Sequence, residues 1–149
     1  MEKAQLSREQ DARKAEREQA RLDRRESFEL THLGDLHTAL HELITTAAAF
    51  HKHLSESETI PPEARDEFDH ACRKVKSLAG LVLDDSIREA VDKANDTVGL
   101  LGLGEPTRHG MPTKTIPQAM YDLGRAEYAV AAGVREIYKS EGLTERKTS

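Results

Sequence analysis

The sequence of 149 residues lacks the features that mark several large classes of protein. One cysteine, Cys72, excludes an internal disulfide and any Cys-x-x-Cys metal or redox motif. The unbroken apolar stretches fall far short of the roughly 18–20 residues that a membrane-spanning helix needs, and no signal peptide opens the chain. Tryptophan is absent. These absences predict a soluble cytoplasmic protein, membrane-associated only if an anchor precedes Met1.

Charge is abundant but unevenly distributed. Charged residues make up 33% of the chain, and the net charge is −5. Residues 1–27 contain eight Lys/Arg and seven Asp/Glu, which leaves 14 and 20 for residues 28–149, so these parts carry +1 and −6. Within the first part the basic residues alternate with acids along the sequence. Because phosphate backbones and anionic lipids attract clustered cations, we expect no nucleic-acid partner and no membrane insertion.

The first 27 residues predict a charged helical arm. They contain no glycine, proline or β-branched residue, and they are rich in Ala, Arg, Glu and Gln, which favour helix. Only Leu6 and Leu22 are large and apolar, so this helix has no face suited to a core. Ion pairs three or four residues apart, such as Glu9 with Arg13, are expected along it. The arm is either a solvated extension or a stalk, with a weak coiled coil as the alternative.

After Phe28 the pattern changes to that of a core helix. Apolar residues recur at alternating spacings of three and four, and the same register runs back into the arm. We therefore predict one long helix from the arm through about His53, with Gly34 tolerated inside it at a cost of about 1 kcal/mol. The apolar seam consists of Leu33, Leu36, Leu40, Leu43, Ala47, Phe50 and Leu54.

Three further helices are predicted, each with an apolar face. The second begins at Pro61-Pro62, and Ser86 with Glu89 resembles a capping box that starts the third. A single bent helix over residues 62–101 is the alternative. The apolar faces are Ala64, Phe68, Ala71, Val75, Leu78 and Val82 in the second helix, Ile87, Val91, Ala94, Val98 and Leu101 in the third, and Met120, Leu123, Ala126, Val130, Val134 and Ile137 in the fourth.

The ends of the fourth helix are predicted from turn chemistry. Residues 102–115 contain three glycines and two prolines, which is typical of a loop, and Thr115 with Gln118 resembles another capping box. Gly142 is the expected helix stop, followed by a flexible tail over 142–149. The chain as a whole is predicted to be an all-α antiparallel bundle of about four helices over residues 28–141, whose first helix is long and extended by the N-terminal arm.

Two Glu-x-x-His matches bear on a metal site. In a helix, residues three apart share a face, and ferritin-like di-iron proteins use two such pairs with a Glu from each of two other helices. The predicted faces oppose convergence, because His70 turns away from the seam and Glu89 lies off the apolar face of its helix. The metal-binding interpretation is therefore the alternative. Its residues would be Glu29 with His32, Glu67 with His70, Glu89 and Glu127.

Other candidate groups favour structural roles. His37 and His41 have a spacing that could chelate zinc, but His37 flanks the seam and is expected to be partly buried. Cys72 is expected to be a small core residue rather than a nucleophile. The glycine-rich segment 102–115 lacks the glycine directly before lysine that a phosphate-binding loop requires. The sequence assigns no catalytic, cofactor-binding or metal-binding residue.

The segment REQDARKAEREQARLDRRESFELTHLGDLHTALHEL resembles small actinobacterial membrane-anchored proteins of unknown function. In that family a transmembrane helix is followed by an Arg/Glu-rich helix and a small helical domain. This sequence departs from the pattern because no apolar span precedes the charged helix. The resemblance implies an all-α fold with a stalk and supplies no catalytic residues.

The function expected from these observations is that of a non-enzymatic helical interaction or scaffold module. Its arm would act as a spacer, and its partner would be another protein or a second copy of the chain. The alternative is a small di-iron-like helical enzyme.

Overall fold

Four α-helices account for nearly all of the described chain. A computed structural model describes residues 2–56, 59–101 and 116–148. The helices are α1 (Glu2–Glu56), α2 (Pro62–Ala79), α3 (Asp85–Leu101) and α4 (Ile116–Thr148). No strand occurs within these three ranges. The all-α prediction is confirmed, and so is the long first helix.

The helices form a closed up-and-down bundle in which α1 and α3 each lie between α2 and α4. The rings of Phe50 and Phe68 stack at 4.7 Å, while Lys74 of α2 reaches the Glu42 carboxylate at 3.2 Å. Later residues of α1 therefore meet earlier residues of α2, which makes this pair antiparallel. Short connections between such neighbours give the up-and-down topology of a four-helix bundle.

α4 closes the bundle by running antiparallel to both α1 and α3. His37 of α1 pairs with Glu127, and a Cβ placed on Gly133 would lie 3.3 Å from Leu33 Cδ1 and 2.6 Å from Ile87 Cδ1. Gly133 thus lies where α1, α3 and α4 pack closely, and a larger residue there would crowd Ile87 and Leu33. The small residues of α4, including the fully buried Ala119 and Ala126, face this core.

The core is the set of apolar faces predicted from the spacing. In α1 the seam from Leu33 to Phe50 is buried, and burial of such side chains provides the main stabilisation of the bundle. The side chains of Leu54 and Leu101 lie outside the described set. Ala64, Leu78, Met120, Val134 and Ile137 are half-buried. The fully buried large side chains are Leu33, Leu36, Leu40, Leu43, Val75, Val82, Val91, Val98, Leu123 and Val130.

α2 and α3 are separate helices, joined by a turn over residues 80–84. The Asp84 carboxylate accepts a hydrogen bond from the Ile87 N–H at 3.1 Å, so Asp84 caps α3. The predicted capping box of Ser86 with Glu89 is therefore wrong, and the helix begins earlier. An aspartate at the cap both accepts the free N–H and interacts favourably with the positive helix end.

α4 extends past the predicted stop. It continues through Gly142 to Thr148, so the helix end expected at Gly142 is wrong. A glycine inside a helix costs only about 1 kcal/mol, which neighbouring turns can outweigh. The predicted loop over 102–115 and the Thr115 cap lie outside the described residues.

The arm is a direct continuation of α1. Every residue from Lys3 to Arg25 is exposed, Glu26 is half-buried, and Glu29 is the first buried residue in the described part of the chain. At 1.5 Å per residue the whole helix is about 82 Å long, and its exposed part is about 36 Å.

Candidate functional site

Glu29 joins α1 to the turn between α2 and α3. Glu29 is 9% exposed, and its carboxylate, in a partly buried site, accepts a hydrogen bond from the Leu83 N–H, with the nitrogen 3.1 and 3.2 Å from the two oxygens. Arg88 supports the same turn, because its guanidinium donates to the Val82 carbonyl at 3.0 Å. This geometry makes Glu29 a structural clamp at the level where the arm leaves the bundle.

The two Glu-x-x-His pairs do not come together. Glu29 is bonded to the turn, and Glu67, His70 and Glu89 are exposed on the outside of α2 and α3. Across the three described ranges, no three His, Cys, Asp or Glu side chains are close enough to hold a metal ion. His32 is half-buried with its ring edge-on to Phe28 at 4.1 Å.

The histidine pair and the cysteine singled out in the sequence lie in surroundings that favour structural roles. His37 is half-buried and its Nε2 lies 3.4 Å from Glu127 Oε1, which links α1 to α4, while His41 is exposed. Burial, together with the nearby Asp69 carboxylate, raises the pKa of Cys72 to about 11. A thiol with such a pKa is almost entirely protonated near neutral pH and is a poor nucleophile.

Helical geometry separates the charges of the arm. Each residue turns about 100° around the axis, so seven of the eight basic residues fall in a sector about 120° wide that contains no acid. Arg8 alone lies on the opposite side. The alternation seen along the sequence is therefore lost on the helix surface, where the cations form a positive face. The members of this basic face are Lys3, Arg13, Lys14, Arg17, Arg21, Arg24 and Arg25.

The predicted ion pairs of the arm are not formed. Among the described residues, Arg13 lies within 4.0 Å of neither Glu9 nor Glu16. Exposed pairs of this kind gain little over their hydration, so their absence costs little. The basic face is left available to an external anion.

The junction of arm and bundle forms an open groove. Leu22 and Glu26 of α1 border it opposite Leu83 of the α2–α3 turn and Ile137 of α4, so the last turn of the predicted arm faces that turn and α4. The side chains of Leu22 and Leu83 remain 43% and 44% exposed.

α4 presents a second surface that sequence patterns did not reveal. All three tyrosines of the chain lie on it, and Tyr121, Tyr128 and Tyr138 are 60%, 68% and 60% exposed. The Arg125 guanidinium lies over the Tyr121 ring at 5.9 Å, and that of Arg135 lies over Tyr128 at 5.5 Å. The spacing of three, four and seven residues was available in the sequence as a signal.

A shallow groove runs between this surface and α3. Its lining combines small residues, which leave the space open, with cationic and aromatic side chains. Exposed tyrosine and arginine are the residue types enriched in protein–protein contacts. The lining includes Ala90, Lys93, Tyr121, Arg125, Tyr128 and Ala129.

None of the helices in the described ranges is long and apolar enough to cross a bilayer. Comparisons with known protein families, with curated proteins and with solved structures find no match to this chain, so the resemblance to the actinobacterial proteins stays a prediction.

Proposed function

We propose that this protein is a non-enzymatic interaction module in which the arm of α1 spaces the bundle from a protein partner. The observation behind the proposal is the arm itself. It is a continuous extension of a core helix, and its side chains from Lys3 to Arg25 are exposed on every side. A helix without an apolar face gains no hydrophobic stabilisation from packing on its own bundle. It can therefore extend away from the bundle and hold a partner at a distance.

The charge of the arm favours an acidic protein surface as the partner. Seven cations lie on one side of a helix about 36 Å long, and the body beside it carries −6. That acidic body repels a polyphosphate more strongly than an acidic protein surface, because the negative charge of a protein surface is less dense. A labelled DNA duplex that binds the chain at about 150 mM salt would contradict this choice of partner.

Spin-label distances test the spacer directly. With Cys72→Ser as background, labels at Ser7→Cys and Thr45→Cys report the span from arm to bundle, since both positions are exposed. A straight helix predicts a separation of about 57 Å. The matched control pair, Thr31→Cys with Thr45→Cys, lies within the part of α1 that packs in the bundle and predicts about 21 Å.

The result that overturns the proposal is a short arm distance. A distribution centred below about 40 Å, with the control unchanged, would mean that the arm folds back on the bundle rather than extending as a helix.

A further inference from the structure

We propose that the α3/α4 face binds a second copy of this chain in a two-fold symmetric dimer. This inference deepens the proposed function, because it names a second copy as a partner of the bundle. It rests on an acidic stripe on α3 that matches the tyrosine and arginine surface of α4 on the neighbouring molecule.

The acidic stripe follows the outer side of α3. Its members recur at spacings of four, three and four, which places them along one line of the helix. All are exposed, and Asp85 is the only one of them that forms an ion pair with a cation of its own helix, Arg88. The stripe consists of Asp85, Glu89, Asp92 and Asp96.

The alignment of α3 with α4 along the bundle axis shows which residues of α4 lie at the height of each acid in this stripe. Ile87 is level with Gly133, and the two helices are antiparallel, so Asp85 is level with Arg135. Continuing one residue forward on α3 for each residue back on α4 brings Asp96 level with Gly124 and Arg125.

Consider a two-fold axis that is parallel to the helices and lies in front of this face, above the line midway between α3 and α4. This axis places the partner's α3 against α4 at the same height. Each dimer then has Asp85 of one copy opposite Arg135 of the other, and Asp96 opposite Arg125. Asp92 comes level with Tyr128, whose hydroxyl can donate to a carboxylate. Because the contact is isologous, every pair occurs twice.

The groove between α3 and α4 suits such an approach. Ala90 and Ala129 lie in it and leave room for the partner's side chains, while the exposed rings of Tyr121 and Tyr128 supply apolar area. A face two helices wide and about 20 Å long buries about 400 Å² per copy, which is the size of weak and transient contacts. We therefore expect a dimer that forms at high micromolar concentration and weakens with salt.

Sedimentation velocity of the full chain tests the dimer at about 20–200 μM, in about 50 mM and about 500 mM salt. The natural chain should show a monomer–dimer equilibrium at low salt, with the dissociation constant rising at least about tenfold at high salt. A chain that stays monomeric at about 200 μM in low salt overturns the inference.

Charge reversal distinguishes this face from others. One variant carries Arg125→Glu with Arg135→Glu, and a second carries Asp85→Lys with Asp96→Lys. Each alone should lose the dimer, because like charges then face each other. Mixed together they should form a one-to-one heterodimer, since both contacts regain opposite charges. Helix content from circular dichroism checks that each variant is folded.

The matched control reverses two exposed cations of α2, Arg65→Glu with Arg73→Glu, and should leave the dimer unchanged. A dimer that survives reversal on α4, or a mixture that stays monomeric, overturns the inference. So does a dimer abolished by Arg17→Glu with Arg24→Glu, which would place the contact on the arm. The spin-label distance in α1 is independent of all these outcomes, so failure of the dimer and failure of the spacer are separable.

Discussion

Replacing Glu29 by alanine should loosen the end of the bundle from which the arm projects. The substitution removes the acceptor of the Leu83 N–H, which the carboxylate contacts with both oxygens at 3.1 and 3.2 Å. A hydrogen bond to a charged group contributes about 1.5–3 kcal/mol. The site is only partly buried, so water replaces part of the loss, and we expect the free energy of unfolding to fall by about 1.5–2 kcal/mol.

Two further variants serve as comparisons for the loss of stability in Glu29→Ala. Glu29→Gln keeps an acceptor oxygen and loses the charge, so it should cost about 1 kcal/mol, the difference between a charged and a neutral hydrogen bond. Glu26→Ala removes a half-buried glutamate one turn earlier in the same helix, and should change stability by no more than about 0.5 kcal/mol. Comparing the two alanine variants cancels the gain in helix propensity.

Amide hydrogen exchange is the suitable assay, because it separates the bundle from the exposed arm. The slowest core amides, such as that of Leu40, report global unfolding, and the Leu83 amide reports the clamp itself. In the natural chain the Leu83 N–H should be protected, and in Glu29→Ala it should exchange much faster. If Glu29→Ala is no less stable than Glu26→Ala, or if Leu83 keeps its protection, the assignment of Glu29 as a clamp is refuted.

Three other outcomes follow from burial and geometry. Leu40→Ala should cost about 2–5 kcal/mol because Leu40 is fully buried, whereas deleting residues 1–25 should leave the thermal midpoint nearly unchanged; a large drop on deletion would mean that the arm packs on the bundle. A methyl group at Gly124 would meet open space, so Gly124→Ala should raise the free energy of unfolding by about 0.5–1 kcal/mol. Gly133→Ala, which crowds Ile87, should be about 1–2 kcal/mol less stable than the Gly124→Ala variant when both are unfolded in urea. Since the pKa of Cys72 is raised from 9.0 to about 11, its alkylation at pH 8 should be roughly a hundredfold slower than in the urea-unfolded chain and should speed up as pH rises; equal rates would contradict the burial.

Much of the fold could be predicted from spacing alone. The seam of α1 from Leu33 to Phe50 is buried as predicted, because a helix that alternates apolar spacings of three and four can bury only that face. Helix ends were predicted less well. Asp84 and Ser86 are both good caps by type, so the sequence does not decide between them, and in the structure Asp84 caps α3 next to the turn that Glu29 holds.

The surfaces could be predicted only in part. The separation of charge on the arm follows from the sequence once each residue is placed on a helical wheel. Along the linear sequence the acids and bases alternate, so the separation is not visible there. The match between α3 and α4 could not be derived in the same way. It depends on the level of Ile87 against Gly133, which is set by tertiary packing rather than by either helix sequence.

The unbroken passage of α1 from the bundle into the arm fixes a rotational phase as well as a length. Because the helix has no joint between Arg25 and Glu29, the direction in which the basic face points is set by the number of residues between them. One inserted residue would swing that face by about 100° around the axis while moving the tip by only about 1.5 Å. The arm therefore holds its basic face at a defined angle around the helix axis relative to the α3/α4 face.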